Sequence, residues 1–224
     1  MIGFLTGISS IVYFIYMFIY AILFGMRYLG SKNKLARHHG KDIFGTQSAS
    51  LEKRINQKPG QHGNTLKKPS TYGKQLIEKQ FVKRVYGVSE KQFRRCFEQA
   101  RKNKTMPSGE ALVQLLELRL DNVLFRLGIA KTRPQARQFV TQKKIFVNGI
   151  CVYSPSYSVK VGDKVSFAEK FLENVHVQSN IKDVSVLPTW LSVSNGCGVI
   201  ENLPKRADVV EEIFEDMVVA FYSK

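Results

Sequence analysis

Cysteine is scarce: three residues among 224, at positions 96, 151 and 197. That excludes a disulfide framework and a four-thiolate zinc site. Charge is missing altogether from residues 1–25. The same stretch lacks the basic start and the small-residue cleavage site of a secretory signal. No glycine-rich nucleotide loop and no paired nucleophile and base are found in the chain, so no catalysis is expected. Acidic residues are few, 18 Asp+Glu against 34 Lys+Arg, which leaves a formal charge of +16. With 44% hydrophobic residues the chain has enough apolar side chain for a core. A foldable chain with that excess of positive charge points to a polyanionic partner, nucleic acid or a membrane surface.

The charge is unevenly placed. Residues 26–110 hold 20 Lys+Arg and 6 Asp+Glu, residues 111–170 hold 10 and 4, and residues 171–224 hold 4 and 8. The polyanion-facing surface is therefore expected from the middle of the chain, with the acidic end turned away from it. The opening stretch Met1–Gly25 is apolar throughout and long enough to qualify as a membrane-spanning helix, with Arg27, Lys32, Lys34 and Arg37 directly behind it. The preferred expectation is different: Met26 opens a basic sequence that reads as a true start, and residues 1–25 are a start-site artefact.

Residues 27–74 are poor in periodic hydrophobics and carry the turn-rich run Lys58–Asn64, which predicts an extended arm ordered mainly by a partner. Helical signals begin near Tyr72, and from Gln75 to Tyr86 the apolar residues Leu76, Ile77, Phe81, Val82 and Val85 fall at helical spacing, predicting a helix that ends at Gly87. Ser89 followed by Gln92 has the spacing of a capping box, and Phe93, Phe97 and Ala100 share the next helix's inner face. Val113, Leu116, Leu120, Leu124 and Leu127 step at helical intervals from Pro107 to Gly128, which predicts one continuous helix. Thr132 and Pro134 open another, with Ala136, Phe139 and Val140 inward and Arg133, Arg137, Lys143 and Lys144 outward.

Asn148-Gly149 between Ile145–Val147 and Ile150–Val152 predicts a tight hairpin, because both turn residues tolerate positive φ. Val159–Val161 and Lys164–Phe167 are predicted strands around Gly162-Asp163, and Trp190–Val193 with Gly198–Ile200 are a further pair. Residues 172–187 give no clear pattern. Asp208–Tyr222 is expected to form a terminal helix.

Residues 117–167 carry Arg119-Leu120-Asp121, Thr132-Arg133 with Ala136-Arg137, and Val147-Asn148-Gly149. This set resembles the small RNA-binding module of the ribosomal S-four family. The resemblance extends over Met26–Lys224 through Met26–Gly30, Lys32–Arg37, Pro59–Gly63, Tyr72-Gly73, Glu78–Gln80, Tyr86–Val88, Gln92–Arg94, Pro188–Leu191 and Tyr222–Lys224. It implies an α+β fold. Residues 26–111 would form a basic arm and a helical domain, and 112–205 an inserted domain built on the module, two helices plus a small antiparallel sheet. Residues 206–224 would pack back on the first domain. It further implies a structural component of the small ribosomal subunit that binds the 5′ domain of its RNA early and nucleates assembly of the body. Contacts with ribosomal protein S-five that influence decoding accuracy, and with messenger RNA at its entry, belong to the same expectation. So does a location in cytoplasmic ribosomes, with an organellar matrix or stroma as alternative. The competing reading is a free or membrane-tethered RNA binder outside the ribosome.

The residues nominated for RNA are Lys32, Lys34, Arg37, Lys53, Arg54, Lys67, Lys68, Tyr72, Lys74, Lys83, Arg84, Arg94 and Arg95 in the first domain. In the module they are Arg119, Arg133, Arg137, Lys143, Lys144 and Asn148. Dispersed Lys and Arg suit folded RNA, which is recognised by shape, phosphates and 2′-hydroxyls, and the helix opening at Thr132 adds free N–H groups to the same end. Some members of the family bind zinc through four cysteines in the N-terminal arm. Residues 26–63 contain none, so no structural metal and no cofactor are expected.

Overall fold

The computed structural model describes residues 28, 30–45, 48–63, 68–168, 171, 174–183, 187–194 and 196–223. The apolar stretch 1–25 and Lys67 lie outside the described residues. Among the described residues no helix is long and apolar enough to cross a membrane.

Two cores divide the chain. The first, in the helical lobe, draws on α1 (Lys32–His39), α3 (Thr71–Val85), α4 (Glu90–Lys102) and α5 (Ser108–Glu117), with α2 (Ala49–Glu52) beside α1. It is closed by Val209, Ile213 and Val218 from the end of the chain, where Arg206–Asp208 makes a single 3-10 turn and α9 spans Glu215–Tyr222. The second belongs to the module: α6 (Leu120–Arg126), α7 (Arg133–Thr141), β1 (Ile145–Val147), β2 (Ile150–Cys151), β3 (Lys164–Phe167), α8 (Val175–Asp183), β4 (Leu191–Ser194) and β5 (Cys197–Ile200). The expected α+β architecture is present, a helical lobe completed by the C-terminal segment around an inserted module.

Local chemistry explains most element boundaries. Ser31, Ser70, Ser89 and Thr132 each accept a hydrogen bond from the backbone N–H three residues on, satisfying one orphan donor at the start of α1, α3, α4 and α7. The capping box at Ser89 is half formed: Gln92 Oε1 finds no partner among the described residues. In α4 the expected face is buried, with Phe93 and Ala100 fully sequestered and Phe97 stacked on Tyr222 of α9 at 4.7 Å. Burying a side chain of that size contributes about 1.5–3 kcal/mol.

Four expectations are corrected. The stripe from Val113 to Leu127 is two helices. The chain breaks at Leu118–Arg119, where the loop from Pro155 to Val159 inserts: Tyr157 O and Pro155 O accept from the N–H groups of Leu120 and Asp121, and Leu118 O accepts from Val159 N. Val113 and Leu116 face the first core, Leu120, Val123 and Leu124 the second. For the same reason Val159–Val161 is no strand; only Ser158 bridges, to Arg119. The terminal helix starts at Glu215 because the Arg206 guanidinium donates to the carbonyls of Val209, Glu211 and Ile213 and satisfies them in an extended loop. Finally, the described part of the arm is no extended strand of chain. Leu35 and Ile43 are anchored in the first core and Leu51 is buried.

The module's sheet is antiparallel, ordered β2-β1-β3-β5-β4. Val147 pairs with Ile150, so Asn148 and Gly149 form the two-residue turn, with φ of 51° and 81°. Residues 172–187 contribute α8. Trp190, 1% exposed, packs in the same core with Ile145 and Ile200.

Candidate nucleic-acid interface

The nominated residues separate into three groups. Lys32, Lys34, Lys53, Arg54, Lys68, Lys74, Arg94, Arg95 and Lys143 are exposed. Arg94 pairs with Glu98 one turn on, at 3.2 Å, but both ends are open to water and such a pair is easily exchanged. Tyr72 is 51% exposed, its ring tilted against Phe221 at 5.6 Å. Further exposed cations, which sequence reasoning did not nominate, are Lys91, Arg101, Lys102, Lys104, Lys131, Lys160 and Lys164. Their one sequence signal was the absence of apolar periodicity at their positions.

A second group is partly engaged. Arg37 donates to the carbonyls of Gln57 and Lys58 and so pins the turn that follows α2. Lys83 pairs with Glu90 at 2.9 Å, and the buried Lys79 holds the other oxygen at 2.7 Å. Burial raises the Glu90 carboxyl, but hydrogen bonds from Lys79, Lys83 and Tyr222 outweigh it and bring it down to about 2. Lys144 lies over the Phe171 ring. Arg137 is half-buried and donates to Gly87 O at 3.1 Å, joining α7 to the end of α3. Asn148 is exposed, yet its amide is occupied: Nδ2 donates to Asp163 and Oδ1 accepts from Lys164 N. It fastens the hairpin to β3.

Arg84 sits on His39, with Nη1 3.0 Å from the imidazole Nε2. Burial, then the positive charge of Arg84, lower the His39 imidazole to about 4. The ring is thus neutral at neutral pH and accepts from the guanidinium. An unfolded histidine takes its proton near 6.5, so the unfolded state binds more protons between 6.5 and about 4. Stability present above pH 6.5 is lost as the pH falls through that window. His38 is lowered in the same direction, by burial and then by Arg84 and Lys58. A plot of melting temperature between about pH 7 and 4.5 should be flatter for His39→Gln than for the wild type. An unchanged slope would place the proton elsewhere.

The third group is turned inward: Arg119, nominated for RNA, and Arg133, whose expected outward placement is corrected. Arg119 is 4% exposed and holds Asp121 through two hydrogen bonds, at 3.1 and 2.8 Å. The Arg133 side chain, 10% exposed, donates to Asn122 Oδ1 at 2.8 Å and to Glu211 Oε1 at 2.6 Å, and stacks over Phe125 and Tyr86. Its partner acid is 78 residues away, which spacing within the helix does not reveal.

Sequence reasoning missed the cluster this belongs to. Glu117, at the end of α5, receives the Tyr86 hydroxyl at 2.6 Å, the Asn122 amide at 2.7 Å and both arms of Arg126 at 3.0 and 2.8 Å. Arg126 also donates to Glu211 Oε2 at 2.6 Å. Burial raises the Glu211 carboxyl, but Arg133 and Arg126 outweigh it and bring it to about 2. Burial and the Glu117 charge raise the Tyr86 hydroxyl well above its ordinary value. The signal available was polar residues, Glu117, Asp121 and Asn122, standing inside an apolar run. Among the described residues no group of three or more His, Cys, Asp or Glu is placed to hold a metal ion.

A helical lobe interrupted by a helix-and-sheet module, with exposed cations on both, has the architecture that the S-four resemblance implies. Sequence comparison agrees: residues 27–117 match the ribosomal protein S4/S9 N-terminal domain and residues 118–165 the S4 domain, meeting where the helix breaks and the core changes. The small ribosomal subunit protein uS4 of Neisseria meningitidis (serogroup B, strain MC58) is 46% identical over 205 residues, covering 88% of this chain and 99% of the relative. The uS4 proteins of Vesicomyosocius okutanii and Burkholderia thailandensis are each 43% identical, with the same coverage. The chain belongs to the small ribosomal subunit protein uS4 family.

Proposed function

We propose that the chain is a structural, non-catalytic component of the small ribosomal subunit that binds the 5′ domain of its RNA and helps to nucleate assembly of the body. The observation that carries this reading is the near end-to-end likeness to small-subunit proteins, with exposed Lys and Arg on both lobes. Lys32, Lys34, Lys53, Arg54, Lys68, Lys74, Arg94, Arg95 and Lys143 are the proposed phosphate contacts, and Tyr72 a further RNA contact. Lys67 keeps its place in the proposal from sequence alone. Arg37, Lys83, Arg84, Arg137, Lys144 and Asn148 contribute at the edge of that surface, each with an internal partner to hold it in place. Arg119 and Arg133 act from within, through the residues they position. Contact with ribosomal protein S-five and an effect on accuracy, contact with messenger RNA at its entry, and residence in cytoplasmic ribosomes complete the proposal on the strength of the family.

The test is equilibrium binding of the full chain to a 5′-domain transcript and to a scrambled RNA of the same length. The transcript should bind more tightly; equal affinity would overturn the reading. Lys143→Ala should weaken binding to both RNAs and lower the slope of log affinity against log salt by about one. An unchanged slope would remove Lys143 from the interface.

A further inference from the structure

The boundary between the lobes has an unequal division of charge. The helical lobe supplies acids and a hydroxyl, Glu117, Glu211 and Tyr86, whereas the module supplies Arg126, Arg133 and the Asn122 amide. Glu211 has a special place among them. One of its oxygens takes Arg126 from α6 and the other takes Arg133 from α7, each at 2.6 Å. Its own loop is held to the helical lobe from both sides, because Val209 and Ile213 are buried there. The Arg206 guanidinium ties the carbonyls of Val209, Glu211 and Ile213 together.

Buried ion pairs of this kind add little net stability, since the cost of removing the charges from water offsets most of their attraction. They do impose geometry. A guanidinium and a carboxylate bond well in few relative orientations. Four residues beyond Arg133 on the same helix, Arg137 donates to Gly87 O of the helical lobe at 3.1 Å. Helix α7 is therefore fastened to the helical lobe at two points one turn apart, and α6 at two more, Asn122 and Arg126.

We infer that Glu211 is a positioning residue that fixes the angle between the helical lobe and the module, so that one folded RNA can engage the basic surfaces of both at once. The inference rests on the ribosomal-RNA reading and goes beyond it. Without the clamp, RNA binding itself must order the two lobes, and the affinity for an RNA that spans both falls accordingly.

The experiment uses the full-length wild type and Glu211→Gln, which keeps the side chain's size and removes its charge. Residual dipolar couplings of the backbone amides report the orientation of each lobe. In the wild type a single alignment tensor should fit both lobes. In Glu211→Gln each lobe should still fit its own structure, but with two different tensors. Affinity for the 5′-domain transcript should fall by about tenfold, with the log–log salt slope unchanged because the phosphate contacts are the same. A single tensor shared by both lobes of the variant, or wild-type affinity, overturns the inference. Should Glu211→Gln fail to fold, Glu211→Asp, which keeps the charge on a side chain one methylene shorter, takes its place under the same two criteria. Failure of the wild type itself to prefer the transcript defeats the RNA reading, and the couplings still decide whether Glu211 sets the angle.

Discussion

Glu117→Ala is expected to destabilise the chain by about 3–5 kcal/mol, a large part of the roughly 5–15 kcal/mol that holds a domain folded. The residue is 1% exposed and accepts from three side chains, those of Tyr86, Asn122 and Arg126. Its loss strands the Tyr86 hydroxyl, frees one arm of the Asn122 amide and leaves Arg126 with Glu211 alone. Water cannot replace it without opening the boundary between the lobes. Glu117→Gln should cost less, because an amide oxygen still accepts from Tyr86 or Asn122, although one of the two carboxylates opposite Arg126 is gone. Urea unfolding at neutral pH measures both variants. A loss below about 1 kcal/mol for Glu117→Ala would show that the cluster re-pairs around the gap.

Binding to the 5′-domain transcript should weaken by about 10³-fold or more between roughly 50 and 200 mM salt, if six to ten phosphates are contacted. The exposed cations of both lobes are numerous enough for that count, and few of them have an internal acid to satisfy them. The steepness comes from counterions released by the RNA, so it reports the number of phosphates neutralised rather than the quality of any one contact. A nearly flat plot would mean that affinity comes from stacking or from uncharged hydrogen bonds, and would refute the phosphate-contact surface.

Much of the fold was legible because its signals are local. Ser89 and Thr132 mark helix starts through their own hydroxyls, and Asn148-Gly149 marks a turn through the φ values those residues tolerate. The break at Leu118–Arg119 was hidden for a physical reason. Both cores are apolar, so the stripe runs on unchanged while the face it serves changes hands, and the loop that enforces the break lies nearly forty residues downstream. The terminal loop was hidden in the same way, because Arg206 satisfies its carbonyls with a side chain that periodicity does not register. For the interface, the sequence told which residues are cationic but not which cations are free. Arg133 and Lys143 look alike in a charge map. One is turned inward by an acid from the far end of the chain, and the other stands in water at the corner before β1.

The division of the cores also bears on the order in which the protein takes shape. Among the described residues the module's core lies wholly between Leu118 and Ile200, so that unit can close without the C-terminal segment. Among the described residues the first core runs from Leu35 yet needs Val209, Ile213 and Val218, which lie beyond β5. The middle of the polypeptide thus has a core of its own, whereas α1 to α5 keep a seam open until the segment after β5 docks. Exposed apolar surface of that kind is the usual substrate of chaperones and the usual source of aggregation. A chain cut short before Val209 would hold a module with its core intact beside an unsealed helical lobe, with no Glu211 to clasp them together.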